Sequence, residues 1–248
     1  MMLTTVEELD IPQFKNNFDK ASEFYWNNGF HIEENLFADE ICDELIKESK
    51  NFENFSNNTF VPEQQIHQKN NIPLKMMKNN ILVDVIEKLI SKNEEIFGIQ
   101  STFFYGIPGT SGSSKHQDGL WVQPEDANGF ISAWTALDDL LEDNIGNLVV
   151  YESSHKDGRL EVREDDKKEV AFQIKGLVKY QSVMKKDYKE HVIKIRKGST
   201  VLLHSNVVHG SIPNTSEKNR YALLLTYVKD GMGFREGREA KRTKTSLK

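Results

Sequence analysis

Residues 199–228 read STVLLHSNVVHGSIPNTSEKNRYALLLTYV. The stretch divides into an apolar run, a polar turn and a second apolar run. Runs rich in Val, Leu, Thr and Tyr, bounded by Gly, Pro, Asn and Ser, predict two β-strands. His209 closes the first and Arg220 opens the second. An antiparallel return brings Arg220 back beside His209, with Ser211 two residues further on. A histidine, a hydroxyl and a guanidinium then gather at one barrel mouth.

Working outward, KHQDGLW at residues 115–121 follows the loose stretch GIPGTSGSS. On a helix, residues i and i+2 point well apart, whereas on a strand they share a face. An extended backbone here therefore makes His116 and Asp118 converge on one point. The segments IQSTFFYGIP (99–108), GFISAWTALDD (129–139), GNLVVYES (146–153) and HVIKIRKG (191–198) also read as strands. Closely spaced strands with turn signals predict a sandwich or barrel of the jelly-roll type. Residues 156–190 interrupt the series with charged, poorly patterned sequence. They read as an insertion, either a lid over a site or a solvated excursion.

The first hundred residues read mainly helical. FDKASEFYWNNGF ends at Asn27-Asn28-Gly29, a helix stop, and HIEENLF reads as a short strand. ADEICDELIKESKNF has an acidic start that suits a helix dipole, and Cys42 lies on its apolar side. NILVDVIEKLISKNEEIFG carries an apolar stripe at Val83, Val85, Ile86, Leu89 and Ile90. Residues 54–75 are polar and turn-rich, which predicts a surface loop. The tail 229–248 is basic and Gly-rich and reads as flexible at its end.

Composition narrows the function classes. The 248 residues are 38% hydrophobic and 28% charged, with a net charge of −6, which argues against a general nucleic-acid binder. A single cysteine cannot form an internal disulfide and fits a reducing compartment. No apolar run approaches the ~18 residues of a membrane helix, and the acidic N-terminus has no signal-peptide core. A cytoplasmic protein with no membrane and no nucleic-acid partner is expected. GTSGSSKH lacks the spacing of a phosphate-binding loop.

Two histidines and one carboxylate on one side of a metal leave three positions open, the facial triad of non-haem Fe(II) oxygenases. A 2-oxo acid fills two of these positions and O₂ the third. The acid's far carboxylate needs a cation with fork geometry, which arginine provides. On this reading His116, Asp118 and His209 hold the metal, and Arg220 with Ser211 holds 2-oxoglutarate. His31 and His67 lack patterned partners and read as structural or surface residues. His155 reads as fixing a strand end.

The set HQD at 116–118, ALDDLLEDNIGNLVVYESSHK at 136–156 and HGSIPNTSEKNRYALLLTY at 209–227 resembles the phytanoyl-CoA dioxygenase family. The resemblance covers roughly residues 100–228. It implies a mainly β, α+β fold with N-terminal helices and a double-stranded β-helix (jelly-roll, cupin-like) core. It implies one domain over 1–228, helical over 1–98 and jelly-roll over 99–228, then the basic tail. It matches His116, Asp118 and His209 to iron ligands, Arg220 and Ser211 to the cosubstrate carboxylate, and Trp134 to an aromatic wall of that pocket. In the same pattern the metal histidine is the one before Gly-Ser, which leaves His204 structural.

The implied activity is that of an Fe(II)/2-oxoglutarate-dependent dioxygenase. It would use O₂ to hydroxylate or otherwise oxidise a small molecule, releasing succinate and CO₂. Asp118 is retained where related halogenases carry a small residue, which favours hydroxylation. Many relatives carry a lysine before the HxD loop, and FFYGIPG departs from that pattern. Tyr105, Trp121 and Gln123 are expected to face the substrate. The other classes that fit are a ligand-sensing protein on the same barrel and a peptide or protein hydroxylase.

Overall fold

The computed structural model describes residues 9–52, 62–164 and 180–248. Helix α1 (Phe18–Asn28) starts where the Asn17 side chain accepts the Lys20 N–H. It stops at Gly29, whose φ of 81° is left-handed and whose N–H donates to the Tyr25 carbonyl at 2.7 Å. Glycine takes that conformation without a Cβ clash, as the Asn-Asn-Gly signal predicts. The chain turns at once into strand β1 (Phe30–Glu33), and helix α2 (Asp39–Ser49) buries Cys42 and Leu45.

Residues 62–75 are not a surface loop. They form strand β2 (Glu63–Gln64), a short 3₁₀ turn and the start of helix α3 (Asn71–Met77), with Glu63, Gln65, Ile66, His67 and Ile72 buried. Polarity misleads here because the polar groups are paired inside. His67 Nδ1 meets Ser101 Oγ at 2.7 Å, and Gln65 Nε2 donates to the Ile99 carbonyl at 3.2 Å. Residues 54–61 lie outside the described residues.

The long helix expected after residue 80 is shorter. Helix α4 (Asn80–Ile86) passes into a π-helical turn (Glu87–Ser91). The Ser91 hydroxyl ends it by bonding the carbonyls of Glu87 and Glu94 at 2.7 and 2.6 Å. Such wide turns insert one extra residue, and Leu89 and Ile90 still reach the core. Strand β3 (Ile96–Gly106) then takes the residues that the helical pattern had claimed.

Two antiparallel sheets face each other. The large sheet runs β1, β10 (Thr200–His204), β5 (Phe130–Ala136), β12 (Arg220–Lys229), β3 and β13 (Thr245–Ser246), with β2 also on β3. The small sheet runs β4 (Ser113–His116), β11 (His209–Ser211), β6 (Leu148–Tyr151) and β9 (Glu190–Val192). This is the expected jelly-roll architecture. The N-terminal part is not purely helical, since β1 and β2 are strands of the large sheet.

The opening stretch departs from its simple reading. It forms three strands, not two, and they lie in different sheets. The turn at Ser205–Asn206, where His204 Nδ1 accepts the Asn206 N–H at 3.0 Å, separates β10 from β11. β11 pairs with β4 and β6, whereas β12 pairs with β3 and β5. His209 and Arg220 therefore belong to facing sheets and are not hairpin neighbours.

The register of the large sheet sorts its side chains. Ala222 opposes Ala136, Leu224 opposes Trp134 and Thr226 opposes Ser132 across β12 and β5. On β3 the same three residues oppose Phe104, Thr102 and Gln100. These rows share one face, because side chains alternate along a strand. Trp134, Ala136, Val201, Leu203 and Ala222 pack there against Leu148 and Val150 of the small sheet. The other face, with Phe103, Ile131, Leu223 and Tyr227, packs against the helices. Both faces being covered explains why the central strands read as nearly unbroken apolar runs.

The tail is not free. Met232 and Ala240 are buried, β13 pairs with β3, and Arg242 is only 6% exposed. Its charge pattern predicts solvation, but backbone pairing along β3 captures it. In the 156–190 region, β7 (Val162–Glu164) pairs with β8 (Tyr180–Ser182), which lies beside β4. Leu160, Met184 and Tyr188 pack on the outer side of the small sheet. Residues 165–179 are outside the described residues. No helix among the described residues is long and apolar enough to cross a membrane.

Candidate active site

His116 ends β4 and His209 begins β11, directly opposite each other in the register. Their ring centroids are 4.3 Å apart. Asp118 is not on a strand. Its φ of −62° and ψ of −32° place it at the start of the short helix α5 (Gly119–Val122). The extended HxD triplet predicted from sequence is thus corrected: the chain bends after His116, and the bend swings the carboxylate in. Asp118 Oδ1 lies 3.8 Å from His116 Nε2 and 3.6 Å from His209 Nε2. One ligand atom from each residue falls within 4.8 Å of the other two.

Neighbouring groups set each side chain. His116 Nδ1 bonds the Ser114 carbonyl at 2.7 Å and His209 Nδ1 bonds the Val207 carbonyl at 3.1 Å. A carbonyl only accepts, so each Nδ1 carries the proton and a neutral ring presents an Nε2 lone pair. The Ser132 hydroxyl donates to Asp118 Oδ2 at 2.5 Å, which leaves Oδ1 toward the imidazoles. Gln117 braces the triplet from behind. Its amide donates to the carbonyls of Gly158 (2.9 Å) and Asn206 (2.6 Å) and accepts the Leu160 N–H (2.9 Å).

Electrostatics follow from this enclosure. Burial pushes the Asp118 carboxyl up, but His209, then His116 and the Ser132 hydroxyl, outweigh it and hold it well below the usual carboxylate range. Burial, reinforced by His209, pulls His116 down to about 4. Burial also pulls on His209, but the Asp118 charge and hydrogen bond overcome it and raise that imidazole. Opposed shifts of this kind cluster at functional sites.

Arg220 opens β12 opposite Gly106, where a Cβ would lie 3.3 Å from the Arg220 Nε. The guanidinium stands 5.8 Å from the Trp134 ring. Its Nε is buried without a hydrogen-bond partner, and burial lowers its pKa to about 10. Ser132 and Trp134 are two apart on β5, so one strand face touches Asp118 at one residue and Arg220 at the next. Ser211 shares β11 with His209, but its hydroxyl accepts the Ser113 N–H at 2.8 Å and meets Ser113 Oγ at 3.1 Å.

The expected substrate residues scatter. Tyr105 lies on the outer face of β3, in the cluster with Phe103 and the helices, because it alternates with Phe104. That corrects its expected place. Gln123 is exposed, in a left-handed conformation at the end of α5. Trp121 stays close to the triplet on α5, its indole N–H buried and without a partner. Sequence reasoning missed Ser132, Gln100 and Thr102, which the alternation of β5 and β3 turns inward. It also missed Arg242.

His204 accepts the Asn206 N–H through Nδ1, and its Nε2 lies 2.9 Å from Asn128 Oδ1, so both ring nitrogens serve structure. His155 meets the Trp26 carbonyl at 3.0 Å and secures the end of α1.

The family model for phytanoyl-CoA dioxygenase matches residues 25–222. The chain is 30% identical over 129 residues to phytanoyl-CoA dioxygenase domain-containing protein 1 of Danio rerio, covering 50% of this chain and 42% of that one. It is 28% identical over 224 residues to phytanoyl-CoA dioxygenase 1 of Oryza sativa subsp. japonica, covering 88% and 71%. The zebrafish match thus spans less than half of that relative's length.

Among solved structures, the epimerase SnoN in complex with Fe3+, alpha ketoglutarate and nogalamycin RO superposes with a TM-score of 0.70 at 13% identity, covering 88% of this chain and 86% of that one. The non-heme alpha ketoglutarate dependent carbocyclase SnoK gives 0.68 at 17% identity, covering 91% and 89%. At such identities the likeness speaks for the fold, while the family model covers most of the sequence and all of the triplet, His209 and Arg220. The chain belongs to the phytanoyl-CoA dioxygenase family.

Proposed function

We propose that this protein is an Fe(II)/2-oxoglutarate-dependent dioxygenase that oxidises an unactivated C–H bond of a small molecule, with release of succinate and CO₂. The observation that carries this reading is the convergence of two imidazole Nε2 atoms and one carboxylate within 4.8 Å. Two nitrogens and one oxygen on one side suit a ferrous ion with open positions. When bound, the ion with 2-oxoglutarate and O₂ supplies the oxidising power.

The chain's own residues do the rest. His116 and His209 offer lone pairs because Ser114 and Val207 hold their Nδ1 protons. Asp118 keeps its charge because His209, then His116 and the Ser132 hydroxyl, outweigh its burial. Arg220 receives the far carboxylate of the oxo acid, and its partnerless Nε fits that task. Trp134 walls the same pocket. Ser211 joins it by exchanging its contact with the Ser113 hydroxyl. The apolar core between the sheets keeps bulk water from the reacting centre.

The test is anaerobic addition of Fe(II) and 2-oxoglutarate, read by the visible metal-to-ligand charge-transfer band. A band in wild type that is lost in Arg220→Ala is expected. Folded wild-type protein that gives no band in excess Fe(II) would overturn the assignment.

A further inference from the structure

Arg220 is not the only arginine inside the barrel. Arg242 comes from the tail and is almost fully buried. Its Nε donates to Gln100 Oε1. Its Nη1 meets the carbonyls of Arg235 (3.1 Å), Glu236 (3.3 Å) and Trp121 (3.5 Å). Among the described residues its Nη2 has no acceptor, and no carboxylate forms an ion pair with it. Asp118 acts on it only from a distance, and a buried charge without a contacting counter-ion is costly. Carbonyl contacts staple the tail, but they do not neutralise it.

The register says where this charge sits. Gln100, Thr226 and Ser132 form one row across β3, β12 and β5, on the face that looks into the barrel. Ser132 holds Asp118 at one end of the row and Gln100 holds Arg242 at the other. Between them the Thr226 hydroxyl is 2% exposed and without a partner. The amide of Gln100 is itself fixed, donating to Thr102 Oγ1 at 2.8 Å and Gln64 Oε1 at 3.0 Å. The row is two strand spacings long, about 10 Å. A cation, a hydroxyl and the candidate metal centre thus lie in line across it.

We propose that Arg242 binds a carboxylate carried by the substrate, so that the enzyme oxidises a small organic acid at a carbon a few bonds from its acid group. This rests on the oxygenase reading above and adds the substrate's chemical class. Arg220 serves the cosubstrate acid and Arg242 the substrate acid, on opposite sides of Asp118.

The experiment uses the full chain loaded anaerobically with Fe(II) and 2-oxoglutarate, titrated calorimetrically with butanoate, hexanoate and phenylacetate and with their neutral amides. Wild type is expected to bind at least one acid at least tenfold more tightly than its amide. Arg242→Gln should abolish that preference and keep the charge-transfer band.

Since Arg242→Gln also loosens the tail, Gln100→Glu is the second variant. It sets a carboxylate against Arg242, and an amide flip of Gln64 with rotation of the Thr102 hydroxyl, both acceptors from Gln100 in wild type, lets these two groups donate to it. It should keep the melting temperature of wild type and lose acid binding at least tenfold, a result that a merely structural arginine would not produce. Equal binding of acids and amides, no binding of any acid, or undiminished acid binding in Gln100→Glu would each overturn the proposal. The same titrations on metal-free Arg220→Ala read Arg242 alone. An absent charge-transfer band would therefore sink the oxygenase reading without deciding Arg242.

Discussion

Arg220 and Arg242 reach the same interior from opposite kinds of chain. Arg220 opens a central strand: it pairs with Gly106 of β3, and two residues on, from Ala222, the strand also pairs with β5. Arg242 sits in a tail segment that pairs only at Thr245–Ser246, and the carbonyls of Arg235 and Glu236 hold its guanidinium. Arg242 is buried and Arg220 half-buried, and burial lowers each to about 10. The difference teaches that a strand can hold a charge by register alone. A tail must hold it with hydrogen bonds, and those bonds leave only part of the guanidinium free for a ligand.

The comparison is broken most severely between the two arginines, at Asp118. Asp118→Ala removes the only carboxylate of the triad and leaves two imidazoles. Retention of Fe(II) after gel filtration should fall by roughly a thousandfold in affinity, a few kcal/mol, as for loss of a buried charge partner. Near-normal iron content in the folded variant would show that the ion sits elsewhere.

Next comes Arg220 itself. Arg220→Ala should weaken 2-oxoglutarate binding about a hundredfold, on the scale of a lost charged hydrogen-bond pair, while Fe(II) binding stays. A matching loss in Arg242→Gln would erase the distinction between the arginines.

A smaller effect is expected at Ser132. Ser132→Ala frees Asp118 Oδ2 and should lower metal affinity about tenfold, the lower end for outer-sphere partners of metal ligands. Unchanged affinity by competition with a chelating dye would mean that Asp118 is held by its backbone alone.

The tail can be tested through stability. Truncation after Lys244 removes β13 and should cost about 1–2 kcal/mol in urea unfolding, the scale of a few buried hydrogen bonds. A midpoint equal to wild type would make the tail's docking incidental.

The smallest effect per step is in pH. Burial pulls His31 and His67 down to about 4 and His204 to about 3. These depressed values mean that the unfolded chain binds protons first as pH falls. Stability is therefore fully present above the unfolded value near 6.5 and is lost as pH falls toward 4. The slope is roughly 1 kcal/mol per pH unit for each such histidine. A urea midpoint flat between pH 7 and pH 5 would contradict their buried neutral state.

Much of the site was legible before the fold. The His209-Gly-Ser run, Arg220 and the HQD triplet carry residue types whose joint chemistry is narrow. The strands betrayed themselves by Val, Leu and Tyr runs between turn residues. Residues whose roles depend on direction were not legible. Tyr105 and Phe104 are adjacent aromatic residues, and nothing in their order says which one faces inward. Ser132 reads as one small residue in FISAWTA until the register turns it toward Asp118. Polar segments such as 62–68 and 229–248 look like solvated chain because their internal hydrogen-bond partners lie as far as 34 to 178 residues away.

The sequence by itself determined the chemistry on offer: two histidines, a carboxylate and an arginine set among strand-forming runs. Side-chain type is local information, and so is the period of apolar residues that makes a strand. Only the tertiary structure decided which of these groups meet. It put His209 and Arg220 on facing sheets, bent the chain after His116 so that Asp118 turns inward, and drew Arg242 from the tail to Gln100. Those choices rest on long-range pairing and on which face of each strand is buried, and both are properties of the packed molecule.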